Sequence, residues 1–452
     1  MKILVSGCGK VGFAIVSQLV SEGHIVTVID KDKDRLNSAL SGLDIMNYCG
    51  DGCSINTLKD AGIDDTDLYV AAMDSDEANI LSCVIAKKAR NCKTIARVRN
   101  PIYGTEIEFL KKELYIDSII NPELQTADEC ARIFNFPNAK QIDLFSSSRC
   151  ELVHYRITED SKLVGVKLLD IRMKHKCNVL VCMVTRGEEV IIPKGNFELR
   201  ENDIIGIMST PREIKNFFNK FGVGTRKASN VIIIGGGRAG YYLARNLIDS
   251  GIQVKIIEIN QERCNFLAEE FPTADIIHGD GTDKELLLEE GLENCAGLAT
   301  LTSIDEENII LSIFAETTSP DCKTVTKVNR TNFDDVINKL NIDAVVYPNR
   351  LVSDKVLRYA RSLQYTMGSD ISAFRKLGGG KAEALGFTVK KTSHITGIPL
   401  MNMKLKNNVL ICNINRNGKN IIPGGSDTIE VGDNVIIVHA NEVIHNLDDI
   451  LE

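Results

Sequence analysis

Long apolar runs are what this sequence most plainly lacks. Stretches such as Val231 to Ile234 or Val179 to Val184 are strand-sized, far short of the roughly 20 residues a membrane-crossing helix needs, so the chain is not expected to cross a bilayer. The opening MKILVSGCGK shows no charged n-region, apolar h-region or small-residue cleavage site before its first strand-like run. A secretory signal therefore has no support, and a cytoplasmic protein is expected. Positive charge is not in excess: Lys plus Arg number 53 against 61 Asp plus Glu, a net charge of −8, which argues against general electrostatic binding to nucleic acid or anionic lipid. No basic arm or recognition helix is visible, so a DNA-binding redox sensor is set aside. The 13 cysteines, an odd number scattered through strand-like and helical runs (Cys83, Cys182, Cys412), lack the clustering of a metal site and read as reduced core thiols.

Hydrophobic residues at 44% and charged residues at 25% are the balance of a chain that buries real cores. At 452 residues there is material for several domains, taking roughly 100 to 200 residues each. The length is explained by duplication, the first thing to look for in a chain of this size. The opening MKILVSGCGKVGFAIVSQLVSEGHIVTVID aligns without gaps on NVIIIGGGRAGYYLARNLIDSGIQVKIIEI, Gly7 falling on Gly235 and Asp30 on Glu258. Further on, Gly50-Asp51-Gly52 returns as Gly279-Asp280-Gly281, and Asp76-Glu77-Ala78-Asn79 as Asp305-Glu306-Glu307-Asn308. Near the end of each half, Ile192-Pro193 and Asp203 return as Ile422-Pro423 and Asp433.

Each half has two textures. The first alternates strand-like runs (Ile3 to Val5, Val26 to Ile29, Leu68 to Ala72, Thr94 to Val98) with helical patterns, the signature of βαβ units and a doubly wound parallel sheet. The second carries alternating strands split by turn pairs such as Arg186-Gly187 and Asn417-Gly418 and reads as a small β-rich α+β lobe. A helical stretch marked by Asn121-Pro122 or Pro348-Asn349 separates them. The expected organisation is an α/β chain of two tandem Rossmann-like domains, 1–124 and 229–349. Crossover helices follow at 125–143 and 350–369, and α+β lobes at 144–226 and 370–452, with a polar linker around Gly222 and Gly224.

The chemistry sits at the glycine turns. Gly7-Cys8-Gly9-Lys10-Val11-Gly12 follows an apolar strand and opens a helix, the context that gives GxGxxG its meaning. Gly7 permits the tight turn, Gly9 lets backbone approach a pyrophosphate, and Gly12 lets helix pack on strand. The pyrophosphate would lie against free N–H groups at the helix N-terminus. Asp30, ending the second strand, would accept from the ribose hydroxyls and repel a 2′-phosphate, favouring NAD or an adenine nucleotide over NADP. The second copy repeats the arrangement with Gly235, Gly236, Gly237, Arg238, Ala239, Gly240 and Glu258. A single such turn is weak evidence, whereas two in register, each with its strand, helix and acid, are specific. Asp51 and Asp280 either cap a helix or meet the adenine edge. Met73-Asp74 and Thr302-Ser303 end the fourth strands at the carboxyl edge, where ligands of open α/β sheets bind. Arg97 closes a further strand near that edge and neutralises phosphate or sits solvated, and Lys327 replaces it in the second copy.

MKILVSGCGKVG with its terminal Asp30, the GDGC run, ARVRNP at Ala96 to Pro101 and the paired β-rich lobes together resemble the cytosolic Trk potassium-uptake subunits, built of two RCK (KTN) modules in tandem. The likeness covers essentially the whole chain. It implies NAD(H) binding, with ATP or ADP in some members, at the glycine turn, the acid after the second strand, the fourth-strand end and the basic residue matching Arg97. It further implies assembly through crossover helices and C-terminal lobes into a homo-oligomeric, tetrameric ring, and an integral-membrane potassium-translocating partner of Trk or Ktr type holding the protein at the inner face of the membrane. The second copy departs from the pattern, with Lys327 for Arg97 and Arg330-Thr331 for Asn100-Pro101.

The rival reading is an NAD-dependent oxidoreductase, since the same fold serves hydride transfer. Only seven histidines occur (His24, His154, His175, His278, His394, His439 and His445) and none recurs at an equivalent place in the two halves, which leaves no duplicated acid–base candidate. Lobes of about 80 residues suit binding modules better than the catalytic half of a dehydrogenase. A nucleotide sensor rather than an enzyme is expected.

Overall fold

The computed structural model describes all residues except 40, 41, 44, 102, 104, 105, 136–140, 146–149, 224–227, 331–333, 338, 339, 341, 367–370, 441, 443 and 445. Gly224, Thr331 and His445, singled out above, lie outside the described residues. The chain divides into two compact units, each assembled from both halves of the sequence: residues 1–134 with 228–360, and 135–227 with 361–452.

The first unit holds two six-stranded parallel sheets. Strands β1 (Lys2–Ser6), β2 (Ile25–Asp30), β3 (Met46–Cys49), β4 (Leu68–Ala71), β5 (Lys93–Arg97) and β6 (Ser118–Ile120) are ordered 3-2-1-4-5-6. Ile3, Leu4 and Val5 are buried in succession, the continuous apolar run of a strand covered on both faces. Sequence order reverses between β1 and β4, which brings their carboxyl ends together at the switch point where such sheets bind ligands. The short edge strand β6 carries too few residues for alternation to announce it.

β12 (Asn230–Ile234), β13 (Gln253–Glu258), β14 (Asp275–His278), β15 (Gly297–Thr300), β16 (Lys323–Lys327) and β17 (Val345–Val346) repeat the order as 14-13-12-15-16-17. The two sheets are joined by exchanged helices. Helix Pro122–Asn135 starts on its proline, whose missing N–H costs nothing in a first turn. It buries Ala127, Cys130 and Phe134 in the core of the second copy, among Ile233, Tyr242 and Val325. Asn121 Nδ2 donates to the Tyr242 hydroxyl at 3.3 Å, and Asn246 to Asp128 at 2.9 Å. Reciprocally, helix Pro348–Thr366 meets the first copy through Asp354, which accepts from Gln18 at 2.6 Å.

The second unit contains two five-stranded antiparallel sheets, ordered 10-9-11-8-7 and 18-19-22-20-21. Their strands are β7 (Gln141–Phe145), β8 (Cys150–Arg156), β9 (Leu180–Arg186), β10 (Glu189–Ile191) and β11 (Ile204–Ser209), then β18 (Ile371–Leu377), β19 (Ala382–Thr388), β20 (Val409–Arg416), β21 (Lys419–Ile421) and β22 (Asn434–His439). The hairpins turn at Gly187 and at Asn417-Gly418, where the turn pairs were read in the sequence. A shared core joins the two lobes, with Cys182, Met183 and Met208 of one sheet packed with Cys412, Ile436 and Val438 of the other. In each lobe a buried aspartate takes a two-pronged bond from an arginine: Arg186 to Asp203 at 2.8 and 2.7 Å, Arg416 to Asp433 at 2.9 and 2.8 Å. The duplicated Asp203 and Asp433 thus hold their sheets' turns. All 13 cysteines are free and all but Cys49 and Cys53 are buried. No helix among the described residues is long and apolar enough to cross a membrane.

Candidate functional site

The first glycine turn leaves β1 at Gly7, whose φ of +100° belongs to the left-handed region. A Cβ there would also stand 2.6 Å from the Ala72 carbonyl, so the position excludes a side chain twice over. Gly12 answers a different constraint from the packing on a strand expected of it: a Cβ would fall 1.9 Å from the Gly7 carbonyl oxygen, so the turn's own backbone is what it must clear. Gly9 is unlike both. It is the N-cap of helix Lys10–Ser21 in extended backbone, no side chain caps the helix, and nothing lies within 4 Å of where its Cβ would be. Uncapped N–H groups beside open space are what an approaching anion requires. Val11 is buried, Lys10 exposed.

Asp30 is 8% exposed. Its carboxylate accepts from the Cys8 N–H at 2.6 Å and the Asp32 N–H at 2.9 Å, and Arg35 lies 3.6 Å away. A carboxylate has about four acceptor positions, so capacity remains after it has fixed the turn. The buried Cys8 thiol is pushed up to about 11, by desolvation first and by Asp30 second, and stays protonated at neutral pH. A cavity of about 310 Å³ opens here, lined by Gly7, Gly9, Asp30, Asp51, Met73 and Asp74 among others. It shares Gly9, Arg35 and Asp74 with an open recess of about 510 Å³ that reaches Lys10 and Phe13.

The capping role considered for Asp51 and Asp280 is not what the structure shows. Ser54 caps helix Ile55–Asp60 and Asp283 caps Lys284–Glu289, because each aspartate is spent on its own turn. Asp51 accepts from Cys53 N–H at 2.9 Å and pairs with Lys31 at 3.1 Å, and Asp280 accepts from Thr282 N–H at 2.8 Å. Those N–H bonds hold both carboxyls below the usual range.

Arg97 is absent from the cavity lining. Its guanidinium is directed at the Met73 carbonyl at 3.5 Å, while Lys327 donates to the Leu301 carbonyl at 3.0 Å. Burial pushes both cations below their usual values, against the pull of nearby carboxylates, Glu123 foremost for Arg97 and Asp305 foremost for Lys327.

The second site follows the first closely. Gly235 has φ +99°, a Cβ on Gly240 would fall 2.2 Å from the Gly235 carbonyl oxygen, and the Cβ direction of Gly237 is open. Glu258 accepts from Gly236 N–H at 2.7 Å and Asn260 N–H at 2.9 Å. Ala239 is buried, Arg238 and Ser303 are exposed, and Thr302, two residues past the end of β15, donates its N–H to Asn308.

Two groups escaped the sequence reading. Asn79 and Asn308, visible only as part of a repeated motif, pin the strand ends on which Met73 and Thr302 sit. Arg35 and Arg263, one turn into the following helices, reach back to the acid or to the glycine turn itself. Their signal was their equal spacing from Asp30 and Glu258.

The TrkA-N domain matches residues 3–122 and 231–348, and the TrkA-C domain matches 152–222 and 385–452. The chain belongs to the TrkA family. Similar chains include the Trk system potassium uptake protein TrkA homolog 2 of Methanosarcina mazei, 31% identical with all of both chains covered. TrkA of Halomonas elongata is also 31% identical, over 97% of this chain and 95% of that one. In fold the TrkA-type chain is similar to the GsuK RCK domain, with a TM-score of 0.64 at 15% identity over 97% of this chain and 92% of that one. It is likewise similar to the GsuK channel bound to NAD, with a TM-score of 0.63 at 15% identity, over 97% and 77% respectively.

Proposed function

We propose that the protein is a cytosolic regulatory subunit that binds NAD(H), with ATP or ADP as competitors, and controls a separate integral-membrane potassium-translocating partner as a ring-forming homo-oligomer. The observation that carries this reading is the open Cβ direction of Gly9, at an uncapped helix N-terminus and on the wall of the cavity that Asp30 lines. Those residues fit a dinucleotide: helix N–H groups for the pyrophosphate, and a carboxylate with acceptor capacity left for ribose hydroxyls. Met73 and Asp74 form the wall at the carboxyl edge of β4. The second turn supplies the same groups with Glu258, Thr302 and Ser303, while Arg97 and Lys327 hold positive charge behind the strand ends.

The relatives named as potassium uptake proteins and the NAD-bound channel of the same fold support the potassium link and the nucleotide. Control then follows from linkage, since a nucleotide that binds two conformations of the assembly unequally shifts their populations by that difference in affinity. Calorimetric titration of the purified chain with NAD, NADH, ATP and ADP tests the reading. Binding of at least one of them at sub-millimolar concentration is expected, and failure of all four to bind would overturn it.

A further inference from the structure

Cys295 follows the short 3-10 turn Leu292–Asn294, and Cys322 is the last residue before β16. Their sulfurs stand 3.0 Å apart in a hydrogen bond. The sheet brings them there. Gly297 pairs with Lys323 at the amino ends of the parallel strands β15 and β16, and the Lys323 N–H donates to the Ala296 carbonyl at 3.1 Å. Each cysteine is thus the chain neighbour of a residue in that bond, so the ladder itself sets the approach of the two sulfurs. The first copy makes the same backbone bond, from the Lys93 N–H to the Asp67 carbonyl at 3.0 Å, but carries Thr66 and Cys92 where the second copy has two thiols. The Thr66 hydroxyl donates to the Gly62 carbonyl at 3.0 Å instead. The Cys322 thiol, as donor, favours the Cys295 thiolate against the opposing effect of burial and is itself held protonated. One sulfur is therefore suited to attack an oxidant and the other to resolve the product.

We propose that Cys295 and Cys322 are a redox modification site, at which hydrogen peroxide forms a reversible disulfide that staples the second Rossmann copy. Cys295 keeps 4% of its surface exposed and Cys322 2%, which favours an oxidant as small as peroxide. The Cys295 thiolate attacks one peroxide oxygen and breaks the O–O bond, giving a sulfenic acid and a hydroxide that takes up the proton released by Cys295 and leaves as water. The Cys322 sulfur then attacks the Cys295 sulfur, and its proton departs with the sulfenic hydroxyl as a second water. Two thiols are oxidised and one peroxide is reduced. The new bond requires the sulfurs to come about 1 Å closer than they stand. It closes a loop that contains β15, Thr302 and helix Asp305–Thr318 with its buried Asn308. The closure lies at the amino ends of the strands, opposite the edge that carries the glycine turn, so it restrains this segment without occupying the candidate site. The inference is independent of what the glycine turns bind.

The test treats the fully reduced, folded full chain with increasing hydrogen peroxide, blocks the remaining thiols and maps the peptides by mass spectrometry without reductant. Cys49, the exposed thiol, reports that the oxidant has acted. A peptide pair linked through Cys295 and Cys322, lighter by two hydrogens than its parts and separated by dithiothreitol, is expected. The link should raise the thermal midpoint by about 5 °C, as closure of a loop of this length stabilises, and dithiothreitol should reverse the rise. Cys295→Ser and Cys322→Ser should each abolish both the link and the rise, whereas Cys92→Ser, at the equivalent place in the first copy, should keep both. No linked peptide from wild-type protein in which Cys49 is oxidised overturns the inference, and so does a link that forms only after the chain has been unfolded. A link that leaves the midpoint unchanged overturns it as a staple.

Discussion

Asn79 and Asn308 occupy equivalent positions in the two copies, both fully buried, and each ties the ends of two adjacent strands together with one amide group. Asn79 accepts from the Met73 N–H at 2.7 Å and donates to the carbonyls of Met73 at 3.0 Å and Arg97 at 2.9 Å. Asn308 does the same for Thr302 at 3.0 and 3.2 Å and for Lys327 at 3.0 Å. Three positions earlier, Asp76 and Asp305 accept from the backbone beyond the fifth strands, at Arg99 and Asn100 and at Asn329 and Arg330. The repeated Asp-x-x-Asn motif is the frame of the carboxyl edge, and Met73 and Thr302, proposed above to face the nucleotide, sit on what it holds.

Removing that frame should be costly. Asn79→Ala leaves a buried N–H and two carbonyls without their partner, and a destabilisation of about 2–4 kcal/mol is expected from groups worth about 1–3 kcal/mol each, part of which water recovers. Urea unfolding of Asn79→Ala and Asn308→Ala gives the number, and a loss below about 0.5 kcal/mol in both would show that the frame is not needed.

The duplication, the strand order implied by βαβ alternation, the glycine turns and the acids were legible in the sequence because each is local: a turn needs Gly7, a strand needs Ile3 to Val5. The frame was legible only as a recurrence, since the partners of Asn79 lie on two other segments. Least legible was the packing between copies. Phe134 belongs by sequence to the first half, but its ring fills the space above Gly297, where a Cβ would stand 2.7 Å from it, and no periodicity in either segment announces the other. The same holds for Cys182 and Cys412, each an unremarkable apolar position until two sheets meet. Arg35 and Arg263 were passed over because an arginine on an amphipathic helix reads as a solvated charge until its reach is known.

Asp30→Ala should weaken NADH binding at the first site. A charged acceptor for ribose hydroxyls is worth about 1.5–3 kcal/mol, hence about ten- to hundredfold in affinity, and the loss of the Cys8 and Asp32 N–H bonds adds to the effect by loosening the turn. Calorimetry in a Gly237→Leu background isolates the site, and an affinity equal to that background's would rule out the role.

Asp117 gives the first sheet an acid limit. Burial opposes its ionisation, but Lys87 at 2.8 Å, Lys93 at 2.7 Å and the Thr94 N–H at 3.0 Å outweigh burial and hold the carboxyl below its usual value. With the folded value depressed, its contribution is complete above the unfolded value of about 4 and is lost as pH falls through the folded one. The urea midpoint of the wild type should therefore fall more steeply below about pH 4 than that of Asp117→Asn. Parallel acid limbs would remove Asp117 from the account.

The proposed control of potassium flux can be separated from folding at the two glycines that look alike in sequence and differ in structure. Gly7 cannot be replaced, since its φ is +100° and backbone lies 2.6 Å from a Cβ, so Gly7→Ala should impair folding. Gly9 and Gly237 are in extended backbone with nothing within 4 Å of a Cβ, so leucine at both should leave thermal unfolding within a few degrees of wild type. The only space those side chains take is the space a pyrophosphate needs. A ligand moves a conformational equilibrium by its differential affinity, typically about 1–3 kcal/mol of coupling, and a protein that cannot admit the ligand loses all of it. Potassium flux through the membrane partner reconstituted in vesicles with Gly9→Leu/Gly237→Leu should stay at the nucleotide-free level whatever NADH, ATP or ADP is added. A double variant that folds and still answers nucleotide as the wild type does would sink the mechanism.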